Sequence, residues 1–153
     1  MKHVLENERG SVMVWAAGSL AVFMLFAALA LDVGRLWVHS AQLQAAADAA
    51  ALAGAATVSV RVEVDRFGNV YGYEVTIDPN VSTAEAVAVL DRNIEAMGFD
   101  GLGVMVTEKK VSVTGLCVTV TVKARAPAYL LPILGERYGS VDIARTATAE
   151  YVP

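Results

Sequence analysis

From Ser11 to Leu31 the chain runs for 21 residues without a charge, and no other feature constrains its fold as strongly. Val, Met, Trp, Leu and Phe alternate irregularly with Ala around a single Gly18, so a helix over this run is apolar on all sides. At 1.5 Å per residue it is about 31 Å long, which matches the ~30 Å hydrocarbon core of a bilayer. Three readings compete. Ala28-Leu29-Ala30 has the small-x-small form of a signal-peptide cleavage site, but signal cores are typically ~7–15 residues and the helical pattern continues past the supposed cut. A core helix needs a polar face or a large protein to wrap it, and about a hundred further residues are too few. A membrane anchor fits best. The flanks orient it: Lys2 and Arg9 precede the run and Arg35 is the one basic residue soon after it, which favours the N-terminus in the cytoplasm. Trp15 and Trp37 stand near the two ends, where an indole can bury its ring and keep its N–H wet.

Composition narrows the function. Apolar residues make up 56% of the 153 and charged ones 18%, an excess that the anchor and an Ala-rich segment explain. The net charge is −4 with no basic stripe, which argues against a nucleic-acid partner. The single cysteine, Cys117, allows no internal disulfide, and its neighbours Leu116, Val118 and Val120 suggest a buried, inert thiol in a strand.

Asp32 ends the apolar run, yet nothing there breaks a helix. Val33 to Ala56 has no proline and is dominated by Ala, the best helix former, and Gly34 costs only about 1 kcal/mol. One helix over 11–56 is therefore expected, half in lipid and half in water. The outer half carries small residues at four-residue spacing, Ala46, Ala50 and Gly54 beside Ala47, Ala51 and Ala55. Such stripes let a sheet or another helix approach closely, so they suit the chain's own domain, neighbouring subunits, or both. Asp32 and Asp48 read most simply as solvated or interfacial carboxylates, with Asp48 able to bond Gln44 one turn back. His39 reads as interfacial.

Arg9-Gly10-Ser11, the apolar run, Asp32-Val33-Gly34-Arg35-Leu36, and Leu43-Gln44 through Asp48 to Ala55 form an ordered set of blocks. The set resembles the N-terminal region of the TadE/TadG-like pseudopilins of the Flp, or tight-adherence, pilus system. A Thr/Val strand, a Pro-flanked segment ending Leu134-Gly135 and a last strand ending Ala147-Thr148-Ala149 are similar more loosely. The resemblance implies a non-enzymatic minor pilin-like protein of the bacterial inner membrane, partnered by the lipid bilayer and, through its N-terminal helix, by other pilus-assembly subunits. It implies a possible leader-peptidase cut between Gly10 and Ser11. Pilins carry Glu five residues after that cut and this chain has Trp15, so the docking carboxylate is missing and an accessory role is implied over a major subunit. A bitopic extracytoplasmic binding module unrelated to pili is the alternative.

Residues 57–153 read as a small α+β domain. Val58, Val60, Val62 and Val64 alternate strictly, and with Val70 to Ile77 they form a predicted hairpin across the turn at 65–69. Ser82 and Glu85 fit a capping box opening a helix that carries Val87, Leu90, Ile94 and Met97 and stops at Gly98. A second hairpin pairs 104–113 with 116–125, turning at Thr114-Gly115 or, because the valine parity changes there, at Glu108-Lys109-Lys110. The apolar connector 127–135 is either buried under the sheet or an exposed patch that meets membrane or partner. Val141 to Tyr151 is the last strand. The expected class is a long helix continuing into an antiparallel-sheet domain with one or two short helices, divided as leader 1–10, helix 11–56 and domain 57–153.

No catalytic constellation emerges. His3 and His39 flank the apolar run and cannot share a metal, carboxylates are scattered, and no phosphate loop or nucleophile elbow is present. Gly101-Leu102-Gly103 is a turn, without the helix a nucleotide fingerprint requires. No cofactor, metal or small-molecule substrate is therefore expected.

Overall fold

The computed structural model describes residues 8–135 and 138–152. Lys2 and His3, used above to orient and to exclude, lie outside the described residues. Helix α1 runs unbroken over Glu8–Ala55, 48 residues and about 70 Å. Gly18 and Gly34, well inside it, each cost only about 1 kcal/mol, which a long Ala-rich stretch easily offsets. The helix closes where Thr57 turns back: its N–H and its Oγ1 both donate to the Gly54 carbonyl, at 3.2 and 2.8 Å.

Strands β1 (Val58–Val64) and β2 (Val70–Ile77) pair antiparallel, as the valine alternation predicts. Asp65 shapes the turn, its carboxylate accepting from the Phe67 and Asn69 N–H groups at 2.7 and 2.9 Å, while Gly68 supplies a φ of 83°. The register slips between Glu63 and Val64, leaving Tyr71 as the extra residue of a bulge. This hairpin is a sheet of its own. The expected antiparallel sheet is thus divided in two, and in the first hairpin Val60, Val62 and Val64 stay about half exposed.

Helix α2 spans Pro79–Ala96 and opens earlier than the capping box suggested. Asp78 is the N-cap, accepting from the Asn80 N–H at 2.8 Å, with Pro79 at the first helical position where its missing N–H costs nothing. Ser82 is thereby freed for another task described below. A short 3₁₀ turn, Phe99–Leu102, sits between left-handed Gly98 and Gly103. Then β3 (Met105–Thr114), β4 (Cys117–Pro127) and β5 (Ser140–Glu150) form a three-stranded antiparallel sheet in the order β3-β4-β5. The β3–β4 turn falls at Gly115, with a φ of 61°. The parity change has its own cause, a bulge at Thr107 between the Val106–Ala124 and Glu108–Lys123 pairs.

The outer half of α1 lies on β4 and β5, and α2 lies beside it on β3. Strand β4 points Val118, Val120, Val122, Ala124 and Ala126 inward, where they join Leu43, Leu90 and Phe99 in the core. Its other face is polar: Thr119 meets Thr148 at 3.0 Å and Thr121 meets Thr146 at 3.1 Å. Cys117 is half-buried at the start of β4.

Candidate functional site

The lower half of α1 is almost bare. Every side chain from Val12 to Ala27 is exposed, including Phe23, Met24 and Phe26. Among the described residues α1 is the one helix long and apolar enough to cross a membrane, judged by length and composition. On one face its bare surface ends here, while Leu31, Val33, Trp37 and Val38 stay exposed on the other. Ala28 and Leu29 are half-buried and Asp32 is buried.

Asp32 makes that junction. A helical side chain leans toward its own N-terminus, so this carboxylate hangs over the turn below it. There it meets the connector that follows β4. Its Oδ2 accepts from the Leu130 and Leu131 N–H groups at 2.6 and 2.8 Å, and its Oδ1 from that of Tyr129 at 3.3 Å. These are orphan donors opening the 3₁₀ turn Leu131–Leu134, so Asp32 caps a turn almost a hundred residues away in sequence. Desolvation pushes its pKa up, but the N–H bonds from Leu130, Leu131 and Tyr129, with Arg35 nearby, outweigh it and hold the carboxyl below its ordinary 3.8. The Arg35 guanidinium lies 4.3 Å from the Tyr129 ring centre. Leu130 lines a groove with Leu25, Phe26, Ala28 and Leu29. The connector thus rests on the helix, not under the sheet, and Asp32, expected as a solvated or interfacial carboxylate, is a buried clamp between the two. Nothing in the spacing announced this, because the partner groups are backbone N–H.

The small-residue stripe lies higher on the helix. Ala46, Ala47, Ala50, Ala51 and Ala55 are all buried against the chain's own sheet and α2. Gly54 leaves no room for a side chain: a Cβ built on it would stand 2.9 Å from Val118 Cγ1, 3.1 Å from Ser82 Oγ and 3.2 Å from Ala86 Cβ. Ser82, fully buried, donates its hydroxyl to the Gly54 carbonyl at 2.9 Å and so ties α2 to α1. Leu43 is core. Gln44 donates to Asp48 at 2.8 Å, the contact expected from their spacing, and Gly34 is open to solvent or lipid. His39 is not interfacial but buried, edge-on to Phe99 with ring centres 6.0 Å apart. Beside it Arg145 of β5 donates to Ser40. Gly10 and Ser11 fall within the first turns of α1.

An open cleft of about 330 Å³ between α2 and β3 is lined by Asp91, Glu95, Asp100 and Lys109. Its one strong contact is the Lys109–Asp91 pair at 2.6 Å, an exposed ion pair. Among the described residues no group of three or more His, Cys, Asp or Glu side chains converges to hold a metal ion.

Fold and junction together define an α+β protein hung from one long helix whose lower half is bare. The comparison with known proteins is more particular: residues 10–57 match the Tad family model, described as "Putative Flp pilus-assembly TadE/G-like". The match runs along α1 and stops where β1 begins, so the likeness seen in the blocks around Gly10, Asp32 and Asp48 is a likeness of the helix. No curated protein and no solved structure matches the chain.

Proposed function

We propose that this protein is a membrane-anchored, non-enzymatic accessory subunit in the assembly of a tight-adherence-type pilus. The observation that carries the anchor is the exposure of every side chain from Val12 to Ala27, a surface stable only in lipid or against other apolar helices. The match of residues 10–57 supports the pilus. In this reading residues 1–10 are a cytoplasmic leader, 11–56 the anchor and its projection, and 57–153 an extracytoplasmic domain in the inner membrane of a bacterium. Because the stripe from Ala46 to Ala55 is occupied within the chain, sister subunits dock on the bare half of α1 instead. A mid-span charge should cost about 3 kcal/mol of insertion.

The test is to express the full chain in its host. It should stay in the membrane pellet through an alkaline carbonate wash, whereas L20K/F23K should shift to the supernatant. Deleting it should abolish or shorten surface pili. A wild-type chain recovered in the wash removes the anchor, and normal pili in the deletion strain leave only the extracytoplasmic binding module. Mass spectrometry of the extracted protein then separates two forms of the role: an N-terminus at Ser11 fits entry into the filament, and an intact Met1 fits a static anchor.

A further inference from the structure

If α1 spans the bilayer, the connector after β4 cannot stay dry of lipid. Leu31 ends the uncharged run and so marks the outer edge of the hydrocarbon. At 1.5 Å per residue Leu29 lies about 3 Å below that edge and Leu25 about 9 Å below it. Leu130 lines a groove with these same residues. We propose that the connector Ala128–Leu131 is a second membrane contact, a wedge that sinks the Leu130 side chain among the acyl chains of the outer leaflet beside α1. The proposal rests on the anchor reading above and adds to it that the domain, too, touches the bilayer.

Two features equip the segment for lipid. Backbone N–H groups cannot be left unpaired where water is absent, and the three at risk, on Tyr129, Leu130 and Leu131, all donate to Asp32. The clamp therefore does two things at once: it holds the connector against α1, and it leaves that stretch of backbone nothing to lose on leaving water. Above it the rim is amphipathic. Tyr129 is half exposed beneath the Arg35 guanidinium, and Trp37 is exposed two residues further along α1. An aromatic ring and a cation at this height suit the headgroup layer, the ring on the apolar side and the charge toward phosphate. A single helix can tilt and spin in the membrane; a second contact at its base fixes the domain's tilt and the face it presents.

Nitroxide labels on the full chain test this. In a C117S background, labels are placed at L130C, F23C and F67C, and the protein is reconstituted in phosphatidylcholine–phosphatidylglycerol vesicles at high lipid excess. The Leu130 label should collide freely with oxygen and roughly tenfold less with a nickel chelate than the Phe67 label, because the polar chelate is excluded from hydrocarbon. The Phe23 label reports the anchor alone. Phe23 shielded with Leu130 as chelate-accessible as Phe67 overturns the wedge and keeps the anchor; Phe23 chelate-accessible overturns both. A Leu130 label shielded from oxygen and chelate alike means protein covers it, which also overturns a lipid contact. Adding D32A should release the connector and raise chelate access at Leu130 to that at Phe67. Unchanged access would overturn the clamp.

Discussion

One helix passes through two environments, and its halves solve them differently. Below Asp32 the side chains are large and largely bare: Phe23, Met24 and Phe26 are all exposed. Above Ser40 they are small and one-sided, with Leu43, Ala46, Ala47, Ala50, Ala51 and Ala55 buried. Lipid tails adapt to any surface, so bulk there carries no penalty. A sheet and a helix do not, so the upper half must be smooth to let α2 and β4 approach. Gly54 leaves no room for a Cβ there, and the largest predicted effect follows from it. G54L forces side-chain atoms into Val118, Ser82 and Ala86 and should cost about 3 kcal/mol or prevent folding, at the upper end of overpacking costs. G34A, with nothing within 4 Å of its new Cβ, should change stability by less than about 1 kcal/mol and in the favourable direction. Thermal unfolding in detergent micelles, followed by near-ultraviolet circular dichroism, measures both. Equal effects would mean that the upper half is not packed against the domain.

The junction between the halves titrates. D32A leaves three N–H groups without an acceptor and should cost about 2 kcal/mol. The carboxyl's pKa is lower in the fold than the ordinary 3.8 it has in the unfolded chain. Its contribution is therefore fully present above that ordinary value and is lost as pH falls through the folded one. The gap between the wild type and D32A should stay constant between about pH 5 and about pH 8, and close only in strong acid. Denaturant midpoints of the two proteins, taken along a pH series, check it. A gap that closes near neutrality would show an elevated pKa and a carboxylate poorly held.

Long-range pattern was legible in this chain, and backbone chemistry was not. The helix announced itself through an uncharged run and an alanine run with no proline between them, and the strands through valine parity. The parity change in β3 was visible too, but parity reports only that a residue is extra; the bulge at Thr107 and the turn at Gly115 are separate events that a period-two pattern cannot assign. Ser82 and Glu85 fitted a capping box, yet Asp78 before Pro79 is the stronger stop-and-start signal, and Ser82 went to the Gly54 carbonyl across the helix interface. Asp32 was noticed as the end of the apolar run. Its three acceptances were invisible, because a backbone N–H looks alike at every residue.

The two hairpins sharpen the same contrast on a smaller scale. Strands β1 and β4 both alternate valine with polar residues, but only β4 has its apolar face covered: Val118, Val120 and Val122 are fully buried, whereas Val60, Val62 and Val64 are about half exposed. A two-stranded ribbon is marginal alone, and this one is held by the Asp65 turn at its tip and by Ile77, buried at its base. V62T replaces a methyl with a hydroxyl that water can solvate and should cost less than about 0.5 kcal/mol. V120T puts the same hydroxyl where no water reaches and should cost about 2 kcal/mol. Unfolding of the purified chain in micelles compares them directly. If V62T proves as costly as V120T, the valine face of β1 is not bare in the protein as isolated, and a partner is already seated on it.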